Sequence, residues 1–75
     1  MQPIYTLVTY CVSCVPVTEK YFSREEAMAR LNETISHYSN HYRVTLSGKA
    51  GGFPIYHVHR NEFGRSNYRI TIETL

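Results

Sequence analysis

The sequence predicts an α+β fold. It is a two-layer sandwich in which one helix packs on a mostly antiparallel sheet of four to five strands, in the order ββαβββ. Three observations predict it. Residues 23–40 hold the one long stretch with helical periodicity. The rest of the chain breaks into short runs rich in Val, Ile, Thr and Tyr, the residue types that suit a pleated, half-buried surface. The segments between those runs are short, which favours antiparallel neighbours.

The helix has the strongest local signals. Ser23 and Glu26 have the spacing of a capping box, in which the Ser oxygen accepts from a free backbone N–H and the Glu reaches back to the cap. Glu25 and Glu26 place negative charge at the positive end of the helix dipole. Phe22, just before the cap, is positioned to fold onto Ala27 as a hydrophobic staple. Ala27, Met28, Leu31, Ile35 and Tyr38 recur at spacings that give one apolar stripe. Glu26, Arg30, Glu33 and His37 line the opposite side as a solvated row. Ser39 and Asn40 continue a helix poorly, so the helix is expected over 24–39.

Two strands precede it. Pro3 to Cys11 carries apolar residues on both faces (Ile4, Val8 and Tyr10 against Tyr5 and Leu7), which predicts a central strand. Val12 to Pro16 is a break, because Pro16 cannot donate to a ladder. Val17 to Phe22 is a shorter run that pairs back on the first. Three strands follow the helix. Tyr42, Val44 and Leu46 alternate with Arg43, Thr45 and Ser47. Gly48 to Gly52 is expected to be a flexible loop. Pro54 sits near the start of the next strand, where Tyr56 and Val58 alternate with Ile55, His57 and His59. Asn61 to Ser66, with Gly64 available for positive φ, forms a second hairpin, and Tyr68, Ile70 and Ile72 alternate with Arg69, Thr71 and Glu73. The apolar sets face the helix and the others lie on the open side of the sheet.

Seventy-five residues make one domain, 1–75, which buries only roughly 60% of its unfolded surface. The core is then a single layer between helix and sheet, with little room for a cavity that encloses a substrate. The formal net charge is +2. Residues 1–41 carry three basic and four acidic side chains, whereas residues 42–75 carry five basic ones against Glu62 and Glu73. No apolar run approaches the length of a membrane span, so no membrane partner is expected. Tyr5, Thr6, Thr9 and Tyr10 interrupt what a secretory signal would need as a clean apolar core, which leaves a cytoplasmic location as the expectation. Asn32 begins a glycosylation sequon, but mid-helix.

The chemistry-bearing motifs are few. Cys11 and Cys14 have the spacing of a zinc knuckle or a redox pair, and His57 and His59 point to one strand face, so together they make a candidate Cys2His2 zinc set. The plainer expectation is two reduced thiols at a strand end, with no metal and no cofactor; a disulfide or redox role is the remaining alternative. His37 and His41 lie about one helical turn apart but lack the adjacent Glu of a zinc protease. There is no Asp for a Ser-His-Asp triad, and Gly48 to Gly52 joins two strands rather than leading into a helix, as a phosphate loop would. No catalytic residues are assigned, and the chain is not expected to be an enzyme.

The open sheet face is the candidate binding face: Arg43, His57, His59 and Arg69 with Ile55 as an apolar anchor, Tyr5 or Leu7 beside it, and Arg60, Arg65 and Lys49 on the rim. The expected function is a small non-catalytic binding protein, an inhibitor or accessory factor that occupies the surface of a larger protein or nucleoprotein partner. Chains of this size that act alone are common among accessory proteins of phages and mobile elements, an association that rests on no residue here. One alternative is a nucleic-acid-binding module using the basic C-terminal sheet face. A second is the zinc-stabilised module. An unpaired edge, either Val17 to Phe22 or the final strand, offers a route to a homodimer.

Overall fold

In the computed structural model, which describes residues 3–11, 14–60 and 67–74, the helix α1 spans Arg24–Ser39, as its capping signals predict. The Glu26 N–H donates to Ser23 Oγ at 3.3 Å and the Ala27 N–H to the Ser23 carbonyl at 3.1 Å. The Ser23 hydroxyl in turn donates to Glu25 at 2.9 Å, so Glu25 rather than Glu26 is the carboxylate engaged at the cap. The expected staple does not form: Phe22 is 64% exposed, and Ala27 is buried without it. Nor is the outer row of the helix simply solvated. Arg30 bonds Glu33 one turn on at 3.2 Å and reaches Glu19, outside the helix, at 3.2 Å. No helix among the described residues is long and apolar enough to cross a membrane.

The strands are β1 (Tyr5–Cys11), β2 (Val17–Tyr21), β3 (Arg43–Ala50), β4 (Phe53–His59) and β5 (Tyr68–Thr74), and they form one antiparallel sheet in the order β2-β1-β5-β4-β3. The domain is therefore the α+β arrangement ββαβββ. β1 is interior, as its two apolar faces require. β5 is interior as well, between β1 and β4, which removes the final strand as a route to pairing with a second copy. The edges are β2 and β3.

The β3–β4 connection is tighter than a glycine-rich loop. β3 continues through Gly48 and Lys49 to Ala50, which pairs with Phe53. Only Gly51 and Gly52 turn, with φ of 60° and 84°, the pair of positive values that a type I′ hairpin demands. The register slips by one residue between Leu46 and Gly48, a bulge in the edge strand. The expected hairpin at 61–66 lies outside the described residues, Arg65 with it.

The core comprises Leu7, Ala27, Leu31, Phe53, Val58, Ile70 and Ile72, with Tyr5, Tyr21, Met28, Ile35, Tyr38, Tyr42, Val44, Tyr56 and Tyr68 packed around it. The alternation thus places nearly all of its apolar set toward the helix. Leu46 is the exception: at 59% exposed it lies on the edge strand beside the bulge, beyond the helix's cover. Tyr5 and Leu7 belong to this core and not to the open face. Phe53, one of the largest fully buried side chains, meets the Tyr5 ring edge-on at 6.0 Å and lies 4.4 Å beneath the Arg24 guanidinium.

Candidate binding face

Strand register assembles the open face. Arg43 pairs with His59 across β3 and β4. In the next row Thr45 pairs with His57, His57 with Arg69, and Arg69 with Tyr10, so four strands contribute one side chain each. Side chains alternate along a strand, so these two rows share the face turned away from α1. Four of the predicted residues, Arg43, His57, His59 and Arg69, are thereby brought together, with Ile55 two residues along β4.

Local contacts hold the set in place. The Arg69 guanidinium lies 4.6 Å from the centre of the Tyr10 ring, a cation–π arrangement. Thr45 Oγ1 and His59 Nε2 share a hydrogen bond at 2.9 Å, and the His57 and His59 rings are 6.3 Å apart. Desolvation, then the Arg43 charge and then His57, hold the His59 imidazole below the usual histidine range. Tyr10, Cys11, His57, Asn67, Tyr68 and Arg69 line a shallow depression of about 280 Å3.

The Tyr10 hydroxyl donates to Glu73 Oε1 at 2.5 Å. Tyr10 stands opposite Arg69 and Glu73 opposite Thr6, with the Val8–Thr71 pair between these rows. The bond therefore crosses that pair. This explains why Val8 and Thr71 are only 3% and 6% exposed on a face that no other described element covers. Thr71 also donates to the Pro54 carbonyl at 3.0 Å. The Tyr10 hydroxyl is held above its ordinary pKa, first by the bond to Glu73 and then by burial and the carboxylate's charge. The one described carboxylate of β5 is thus drawn to Tyr10, away from the His and Arg cluster. Sequence reasoning places Glu73 on this face but misses the bond, because the partners are 63 residues apart.

Arg60 is not on this face. Its guanidinium stacks on Tyr42 at 5.2 Å and Tyr68 at 4.9 Å and donates to both hydroxyls, on the helix side of the sheet. Tyr38 completes that cluster at 5.7 Å from Tyr68, and burial pushes its hydroxyl pKa up.

The zinc set is not assembled. Cys11 and Cys14 are joined in a disulfide, with Cα atoms 5.5 Å apart, so neither is a reduced thiol or a thiolate ligand. Both line a recess between α1 and the β1–β2 hairpin, and although Cys11 also borders the depression that His57 lines, the disulfide to Cys14 occupies its sulfur. Among the described residues no three His, Cys, Asp or Glu side chains converge on a metal position. His37 and His41 stack 5.6 Å apart, both exposed.

The recess itself is unexpected from composition. It has a volume of about 250 Å3, with Leu7, Val17 and Tyr38 among its walls and the Arg30–Glu19 pair at its edge. That is below the range of roughly 300–1,000 Å3 usual for small-molecule sites. The Tyr21 hydroxyl donates to Glu19 at 2.5 Å, and this bond and Arg30 hold the Glu19 carboxyl below the usual range. No family model, curated protein or solved structure matches the chain.

Proposed function

We propose that the protein is a non-catalytic binding protein, an inhibitor or accessory factor, that uses the open face of its sheet to occupy an acidic surface on a larger protein or nucleoprotein partner. The observation that carries this is the registered cluster of Arg43, His57, His59 and Arg69 on neighbouring strands, with the nearby carboxylate of Glu73 bonded to Tyr10. Opposite potentials across an interface steer association and set register, and like charges placed there cost several kcal/mol. Arginine is also favoured at interface hot spots. The strands are rigid supports, so the face needs little ordering on binding.

The test compares wild-type protein with the double variant Arg43→Glu, Arg69→Glu as baits in the native host, with partners identified by mass spectrometry and confirmed with purified components. The variant should lose the partner that the wild type retains. Retention of every confirmed interaction would remove this face from the function. A parallel titration with random DNA and RNA at about 50 mM salt, where phosphate contacts are strongest, addresses direct nucleic-acid binding. Salt-dependent binding there favours the nucleic-acid module.

A further inference from the structure

We infer that the depression bounded by Arg69, His57 and Tyr10 is a site for a single phosphate monoester group. The inference rests on the proposed binding role of this face and names the group that the partner presents there.

The cluster has donors of the right kind. A guanidinium offers a planar fork of N–H groups to an oxyanion, and imidazoles add N–H donors whose charge follows pH. Arg69 is steadied over the Tyr10 ring and His59 by its bond to Thr45. Among the described residues, the groups that face His57 are Arg69 and Tyr10 along its row, His59 on its own strand, and Thr45 and Arg43 on β3. None of these is a carboxylate. Across the Val8–Thr71 pair, Glu73 is held by the Tyr10 hydroxyl. Desolvation first, then Arg43 and His57, disfavour protonation of His59, and a bound dianion would offset the two cationic contributions.

The shape favours a terminal phosphate over a nucleic-acid backbone. Positive side chains cluster on β3, β4 and β5, and the next cation across the face is Lys20 on the edge strand β2. Lys20 pairs with Thr6, which pairs with Glu73, so a phosphodiester chain crossing toward β2 would meet a carboxylate. A compact depression of about 280 Å3 beside one guanidinium suits one compact group.

Phosphate and carboxylate ligands give different pH profiles. A phosphate monoester gains its second charge near pH 6, whereas an imidazole carries charge only toward acid, so dianion and imidazolium overlap only in a limited window. A carboxylate is already ionised there, and its affinity simply rises as imidazoles protonate.

The experiment is an NMR titration of the full chain with methyl phosphate, dimethyl phosphate and acetate between pH 5 and 8, reading the imidazole resonances and the Arg69 side-chain N–H. Methyl phosphate should give saturable shifts at His57 and Arg69, with affinity falling toward pH 8 as imidazolium is lost. Dimethyl phosphate and acetate should bind at least about tenfold more weakly. His57→Gln should weaken binding by loss of a donor, and Arg69→Gln should weaken it about tenfold, both with unchanged backbone spectra. A phosphoserine peptide and a nucleoside monophosphate then separate a phosphorylated side chain from a bound nucleotide as the source. Equal responses to methyl phosphate and acetate, or shifts that neither variant alters, would overturn the site. If that happens while Arg43→Glu with Arg69→Glu still abolishes partner capture, the binding face stands and only the phosphate assignment falls.

Discussion

Replacing Tyr10 tests how the open face is built, because one side chain does two separable things. Its hydroxyl bonds Glu73, and its ring lies over the Val8–Thr71 pair. Tyr10→Phe removes the first and keeps the second. A hydrogen bond to a charged group is worth about 1.5–3 kcal/mol, but at an exposed position screening leaves roughly 0.5–1 kcal/mol. Tyr10→Ala also uncovers Val8 and Thr71, now 3% and 6% exposed. Exposing roughly 60–80 Å2 of apolar surface at about 25 cal/mol per Å2 adds about 1.5–2 kcal/mol. The Ala variant should therefore lose about 2–3 kcal/mol and the Phe variant at most about 1 kcal/mol.

Urea denaturation followed by circular dichroism reads both. With an m-value near 1 kcal/mol/M, the midpoints fall by about 2–3 M and about 0.5–1 M respectively. pH provides a second arm. The Tyr10 pKa is raised in the folded state, so the stability it contributes is intact below the unfolded value near 10 and is lost as pH rises through the folded value. Tyr21 and Tyr38 are also raised, so both proteins weaken in alkali, but the gap between wild type and Tyr10→Phe should close above about pH 10. Equal midpoints for the Phe and Ala variants would refute the covering role of the ring.

Three further outcomes are expected. Leu31→Ala, at a fully buried position, should cost about 2–5 kcal/mol out of the roughly 4–11 kcal/mol available to a domain this size, whereas Glu33→Ala should change stability and partner binding little, as urea melts and binding titrations will show. Because the Glu19 carboxyl is held low by Tyr21 and Arg30, its contribution is present above the ordinary carboxylate range and lost as pH falls through the folded value. Arg30→Gln should narrow that acid loss by less than about 1 kcal/mol in melts from pH 3 to 7, since both side chains are 40% exposed. Reduction of Cys11–Cys14 should lower stability by no more than about 2 kcal/mol, because the ring it closes is very short, and a urea midpoint with and without a phosphine reductant measures this.

The elements readable from the sequence are those whose signals are local. Ser23 and the two glutamates after it mark the helix start, and two apolar faces mark β1 as interior. The alternation of β3, β4 and β5 finds the cluster of Arg43, His57, His59 and Arg69. It also holds the correct position of Arg60, which continues the set of Tyr56 and Val58 toward the helix; treating it as hairpin rim overlooks that parity. What stays hidden is non-local. Glycine-rich composition reads as loop from Gly48 onward, yet only Gly51 and Gly52, with φ of 60° and 84°, turn the chain. The burial of Phe53 depends on Tyr5 and Arg24, and the Tyr10–Glu73 bond appears only once β1 is set against β5.

The pairing of β1 with β5 also has a consequence for how the molecule is made. Tyr5 stands in register opposite Thr74, so the middle of the sheet joins β1 to β5, two strands far apart in sequence. Contacts of such long sequence separation slow folding, because the loop entropy is spent before the pairing returns it. A nascent chain that has emerged only through β4 has its helix and both hairpin partners of β3 and β4, but β1 is still an unprotected edge and Ile70 and Ile72 are missing from the core. Arg69 arrives with that same final strand, beside His57 on one side and Tyr10 on the other. The step that completes the core therefore also completes the cluster of Arg43, His57, His59 and Arg69 on the open face.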